Sequence, residues 1–115
     1  MKSRQLLLRA SQQGVSAIRE ARNQRGWSRD VAKDDAPLLA ASRFLDSDKT
    51  YPIEGYHSKI YADGVNEASW RRFLEGKRTI RARVFIAYCH ALEISWQQVV
   101  DWDCFDGQLP LFITQ

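Results

Sequence analysis

Arg71, Arg72, Lys77, Arg78, Arg81 and Arg83 crowd the stretch from Trp70 to Arg83, where Glu75 is the one acid. A guanidinium carries five donors in a planar fork, so such a block can pair with phosphate oxygens. A single well-aimed arginine can also bond O6 and N7 of guanine together. The same residues also describe the solvated face of an ordinary helix. The choice between these readings depends on the elements that carry the basic side chains.

Other chemistry is thinly represented. Cys89, His90, His57 and Cys104 supply two sulfurs and two imidazoles, but adjacent helical residues point about 100° apart and the spacings match no structural zinc pattern. Two isolated thiols suit a reducing compartment better than a disulfide. Ser58 beside His57 lacks the third member of a nucleophilic arrangement, and no glycine-rich phosphate loop occurs. The expectation is no enzyme, no metal and no cofactor.

A chain of 115 residues with 44% hydrophobic and 27% charged residues is long enough for one domain, residues 1–115, around a modest core. No segment approaches the roughly 20 apolar residues that span a bilayer. "QLLLRA" near the start lacks a cleavage pattern, so the expected setting is cytoplasmic, with no membrane partner. The net charge of +3 conceals a striped distribution: +6 over residues 1–33, −4 over 34–69, +5 over 70–83 and −4 over 84–115. Two basic blocks brought together by the fold can follow a phosphate backbone.

The elements that must position these charges read as helices. Ser11 is an N-cap and Gly26 a left-handed end for helix one, Gln12 to Arg25, with Val15, Ile18 and Ala21 inward. Trp27 should fold back onto it. Asp34 or Asp35 caps helix two, Ala36 to Asp46, where Pro37 fits the first turn and Leu38, Leu39, Ala41, Phe44 and Leu45 form a buried stripe. Residues 47–65 have no 3.6 period and read as an ordered inserted loop with a short extended or helical piece near Tyr56 to Tyr61. Asn66 caps helix three, residues 67–75, whose Trp70, Phe73 and Leu74 make the core face before Gly76 ends it. Helix four runs from Ala82 to Leu92. Helix five starts at Ser95, which with Gln98 matches a capping box. The tail, 103–115, is apolar enough to dock. No strand is demanded, so the class is all-α with about five short helices.

"FLEGKR…RARVFIAYCHALEISWQQVVD" resembles the second half of the phage-repressor or XRE-type helix-turn-helix family, and "SAIREARNQRGWS" resembles its first helix. "GWS", "LLAASRFL", "SWRRFLEGKR", "FIAYC" and "ISWQQVVD" are similar to phrases in the helix-turn-helix-like N-terminal domains of large cyanobacterial signalling NTPases and repeat proteins. The first resemblance implies a helix-turn-helix-like bundle that reads double-stranded DNA. The second implies an adaptor or sensor.

On the repressor pattern, aligned through Gly76, the groove-facing positions are Glu67, Ala68, Ser69, Arg71 and Arg72. Arg72 is then the best base reader, and Lys77, Arg78, Arg81 and Arg83 clamp the backbone. Glu67 fits poorly there, because only a cytosine amino group welcomes a carboxylate. The insertion is the chief departure. A family turn of about three or four residues is replaced by residues 47–65, which add Asp48, Glu54 and Asp63 near the reader. The reading is a regulatory DNA-binding protein using helix 67–75. The alternative is a protein-interaction module whose Tyr51, Tyr56 and Tyr61 contact a partner domain or a second copy.

Overall fold

The computed structural model describes residues 6–31, 34–54 and 59–105. Strand β1 (Leu7–Leu8) leads into helix α1 (Gln12–Arg25), where the Ser11 side chain accepts from the Gly14 amide and Gly26 adopts φ 69° at the end. Trp27 does fold back. Its amide donates to the Arg22 carbonyl at 3.1 Å, and the Arg25 guanidinium sits 5.3 Å from its ring centre. Ile18 and Ala21 are buried, while Val15 is half-buried against the same core.

Helix α2 (Ala36–Leu45) starts with Pro37 in its first turn. Asp34, not Asp35, takes up a free amide by accepting from Ala36 at 3.1 Å, which leaves the Asp35 carboxylate for the Tyr61 hydroxyl at 2.6 Å. The buried face is Leu38, Ala41 and Ser42, and it packs against helix α4 below. Phe44 does not belong to the stripe in which periodicity grouped it. At about 100° per residue it lies well off the direction shared by residues 38, 41, 42 and 45, so its ring is 44% exposed and rests on His90 at 4.2 Å.

Strands β2 (Ile53–Glu54) and β3 (Lys59–Ile60) pair antiparallel within the insertion. Helix α3 (Glu67–Glu75) follows, and its Trp70, Phe73 and Leu74 are buried as the three- and four-residue spacing requires. Gly76 ends it at φ 69°, with no room for a side chain: a Cβ there would lie 2.4 Å from Val15 Cγ2 and 3.1 Å from the Ala10 carbonyl. Strand β4 (Ile80–Arg81) pairs with β1, placing Leu8 opposite Ile80, and runs straight into helix α4 (Ala82–Ala91). Val84, Phe85, Ala87, Tyr88, Ala91 and Leu92 are all buried.

Helix α5 (Trp96–Val99) is a single turn. The Ser95–Gln98 capping box does not form, because the Ser95 hydroxyl bonds the Gln97 side chain at 2.9 Å instead. A 3-10 turn, Trp102–Phe105, comes next, with Cys104 partly buried against the core. Most of the tail expected to dock, residues 106–115, lies outside the described residues.

The molecule is mostly helical but not strictly all-α, since among the described residues two short antiparallel strand pairs supplement five α-helices. Two-residue strands are too brief to carry an alternating pattern. They exist because the backbone amides and carbonyls flanking the helices need partners. β1 and the Ala10–Val100 bridge lace the segment before α1 to the segments just before α4 and just after α5. Among the described residues no helix is long and apolar enough to cross a membrane.

Candidate nucleic-acid interface

Helix α3 is positioned from both ends. Asn66 Oδ1 accepts from the Ser69 amide at 2.8 Å, and Ser69 Oγ accepts in return from the Asn66 amide at 3.2 Å. Ser69 Oγ also lies 2.7 Å from the Tyr88 hydroxyl, itself buried in the core. Burial pushes the Tyr88 phenol well above its ordinary range, so it stays neutral and available for this bond. Ser69, predicted to face a DNA groove, is thus only 8% exposed and occupied by the cap. A serine three residues after an asparagine cap can close the box that glutamate usually closes. That possibility was the available signal in the sequence.

The remaining predicted residues lie outside the core. Glu67, Ala68, Arg71 and Arg72 are exposed on α3. Glu67 accepts from Arg71 at 2.8 Å across one helical turn, so these two groove-facing candidates partly neutralise one another. Lys77 and Arg78 project from the turn after α3, and Arg83 from the start of α4. Among the described residues no ion pair engages Arg72, Lys77, Arg78 or Arg83. Arg81 differs. Its guanidinium donates to Asp63 at 2.9 Å, so an acid from the insertion reaches into the basic block. That hydrogen bond and the Arg81 charge hold the Asp63 carboxyl below its ordinary value, with a smaller contribution from Arg83.

The tyrosines of the alternative reading are turned to internal use. Tyr51 is 6% exposed and donates to Asp46 at 3.2 Å, while Tyr61 is half-buried with its hydroxyl on Asp35. Tyr56 lies outside the described residues, as does His57. The exposed apolar residues of this region are Ile53 and Ile60, cross-strand partners in the β2–β3 pair at 40% and 51% exposure.

A basic feature that sequence reasoning missed lies between α1 and α3. Where α1 meets the C-terminal end of α3, a cavity of about 260 Å³ is lined by Arg19, Arg22, Arg29 and Lys77, with Glu75 as its one carboxylate among the described residues. The first basic block of the chain therefore does meet the second. Helical spacing puts Arg19 and Arg22 on one face of α1, but their nearness to Lys77 depends on how α1 packs on α3. Burial, together with the neighbouring Arg29 and Arg19 charges, lowers the Arg22 pKa from its ordinary value.

No protein-family model matches the chain, and no solved structure matches it. Over 92 residues, 80% of the chain, it is 39% identical to an uncharacterized WD repeat-containing protein of Nostoc sp.. The chain spans 7% of that relative's length.

Proposed function

We propose that this chain is a helix-turn-helix-like module that binds double-stranded DNA, with α3 in the major groove and the turn after it on the phosphates. The observation that carries the reading is the set Arg72, Lys77, Arg78 and Arg83, exposed and without an ion pair among the described residues. Arg72 is the base reader, because its planar fork matches a guanine edge. Lys77, Arg78 and Arg83 supply phosphate contacts that set register and affinity. Ser69 has no place in this interface, and Arg71 and Arg81 contribute only by exchanging their carboxylate partners for phosphate. The module has no catalytic part in this reading.

Fluorescence anisotropy on duplex DNA at two salt concentrations tests it. Arg72→Ala should relax sequence preference at a cost of about 1–3 kcal/mol, whereas Arg78→Ala should weaken all sequences alike and lower the salt slope by about one. A chain with no salt-dependent affinity for any duplex is not a DNA-binding module.

A second reading, an interaction adaptor, is favoured by the paired exposure of Ile53 and Ile60. It also suits a module similar to a small part of a much longer WD repeat-containing relative. Its surface is the β2–β3 pair and no longer Tyr51 or Tyr61, whose hydroxyls are bonded within the fold. Replacing Ile53 and Ile60 together with serine should abolish self-association or partner capture in sedimentation, with DNA affinity untouched.

A further inference from the structure

We propose that the cavity between α1 and the C-terminal end of α3 binds a small, multiply charged phosphoanion of pyrophosphate or triphosphate-chain size, held by Arg19, Arg22, Arg29 and Lys77. The proposal does not rest on the DNA reading. Three of its four cations lie outside α3 and its turn.

Charge imbalance is the first argument. Four cations face one carboxylate in a concave site, and among the described residues none of the four forms an ion pair. Arg9, Arg25, Arg71 and Arg81 are matched with Asp101, Glu93, Glu67 and Asp63, whereas Arg43, Arg72, Arg78 and Arg83 also have no ion pair among the described residues but do not line this hollow. What sets Arg19, Arg22 and Arg29 apart is that they are gathered with Lys77 around one hollow, which holds an uncompensated field there. Like charges at close range repel, and the lowered Arg22 pKa has that repulsion among its causes. A bound anion would reverse the sign of the interaction for all four cations at once.

Preorganisation is the second. Arg22 Nη1 donates to the Trp27 carbonyl at 2.9 Å, which restrains the guanidinium of a residue that lines the cavity. The Arg22 carbonyl accepts from the Trp27 amide, so the backbone beyond Gly26 is tied back to α1, and Arg29 follows two residues later. The cations thus sit on a helix, a closed turn and the stop after α3.

Size selects the ligand class. The volume of about 260 Å³ lies just below the ~300–1,000 Å³ of pockets that engulf drug-sized apolar ligands. A small ligand with several charges fits better, and arginine forks match phosphate oxygens in pairs. A neighbouring hollow of about 480 Å³ shares Val15, Arg19 and Glu75 with the cavity, so a longer chain of phosphates has room to continue along α1.

The test is calorimetric titration of the full chain with pyrophosphate, inorganic phosphate and sulfate at constant ionic strength, beside duplex DNA. Pyrophosphate should bind more tightly than phosphate or sulfate. Arg19→Gln and Arg29→Gln, both at exposed positions, should each weaken it by about tenfold, while Arg43→Gln on α2 leaves it unchanged and circular dichroism shows every variant folded. Equal affinities for pyrophosphate and sulfate, or unaltered binding in both variants, would overturn the proposal. If the variants weaken DNA alone and pyrophosphate does not bind, the cavity is a backbone-phosphate contact and the small-ligand proposal fails. Pyrophosphate binding by a chain that ignores DNA supports the site and removes only the DNA reading.

Discussion

Arg81 donates to Asp63 at 2.9 Å and so ties the insertion between α2 and α3 to the last residue before α4. A segment that replaces a tight turn therefore still reaches the basic block, and does so with the charge that opposes phosphate. The insertion has a second anchor, since the buried Ser42 hydroxyl accepts from the Ala62 amide at 3.0 Å.

Asp63→Asn should free Arg81 for phosphate. At neutral pH the variant should bind duplex DNA more tightly, with a salt slope steeper by about one, as expected for one more phosphate contact. The sign of the pH effect follows from the lowered Asp63 pKa. A carboxyl depressed in the folded state contributes above its unfolded value, and that contribution disappears as pH falls through the lowered folded value. The difference between wild type and variant should therefore hold at neutral pH and close only in strong acid. An unchanged slope at neutral pH would show that Arg81 points away from bound DNA.

Ser69→Ala removes both the returning bond of the cap and the partner of the buried Tyr88 hydroxyl. We expect a loss of about 1–2 kcal/mol in urea denaturation, with DNA sequence preference unaltered. Tyr88→Phe should cost less, because Ser69 retains its bonds to Asn66. A change of base preference in Ser69→Ala with stability intact would return this serine to the groove.

The boundaries of α1 and α3 were legible because each has a local chemical cause. Ser11, Asn66, Gly26 and Gly76 mark ends that the structure keeps to the residue, and the face of Trp70, Phe73 and Leu74 follows from spacing alone. What the sequence could not display depends on contacts distant along the chain. The β1–β4 pairing joins residues about 70 positions apart, and the meeting of Arg19 and Arg22 with Lys77 depends on how one helix lies across another. Phe44 departs from the expected stripe for a different reason: its hydrophobicity suits the core, but its direction on the helix does not.

Trp70, Phe73, Phe85 and Leu92 share one buried cluster, in which the Phe73 ring contacts both Trp70 at 5.7 Å and Phe85 at 5.2 Å. Each truncation to alanine should cost on the order of 3 kcal/mol. Trp70→Phe should be much milder, about 1 kcal/mol. It removes volume, but also an indole N–H that is buried without a hydrogen-bond partner among the described residues. A Trp70→Phe loss as large as that of Trp70→Ala would mean that the indole N–H is satisfied after all.

Gly14 offers the sharpest conflict between local preference and packing. It lies inside α1, where alanine is worth about 1 kcal/mol more than glycine in an isolated helix. Yet a Cβ at this position would stand 2.0 Å from the Val99 carbonyl oxygen and 2.7 Å from its carbon. The obstacle is backbone, and it cannot retreat freely, since Val99 O accepts from the Ser11 amide at 2.9 Å and Ser11 in turn caps α1. Moving α5 away would break the bond that starts the helix. Gly14→Ala should therefore lose at least about 2 kcal/mol, opposite in sign to the propensity argument. Ser16→Ala, two residues on at an exposed site, should gain a few tenths of a kcal/mol. Urea denaturation of both variants, read at constant m-value, measures the pair. If Gly14→Ala matches Ser16→Ala, the contact between α1 and α5 is loose enough to open without loss, and the close approach does not hold these helices together.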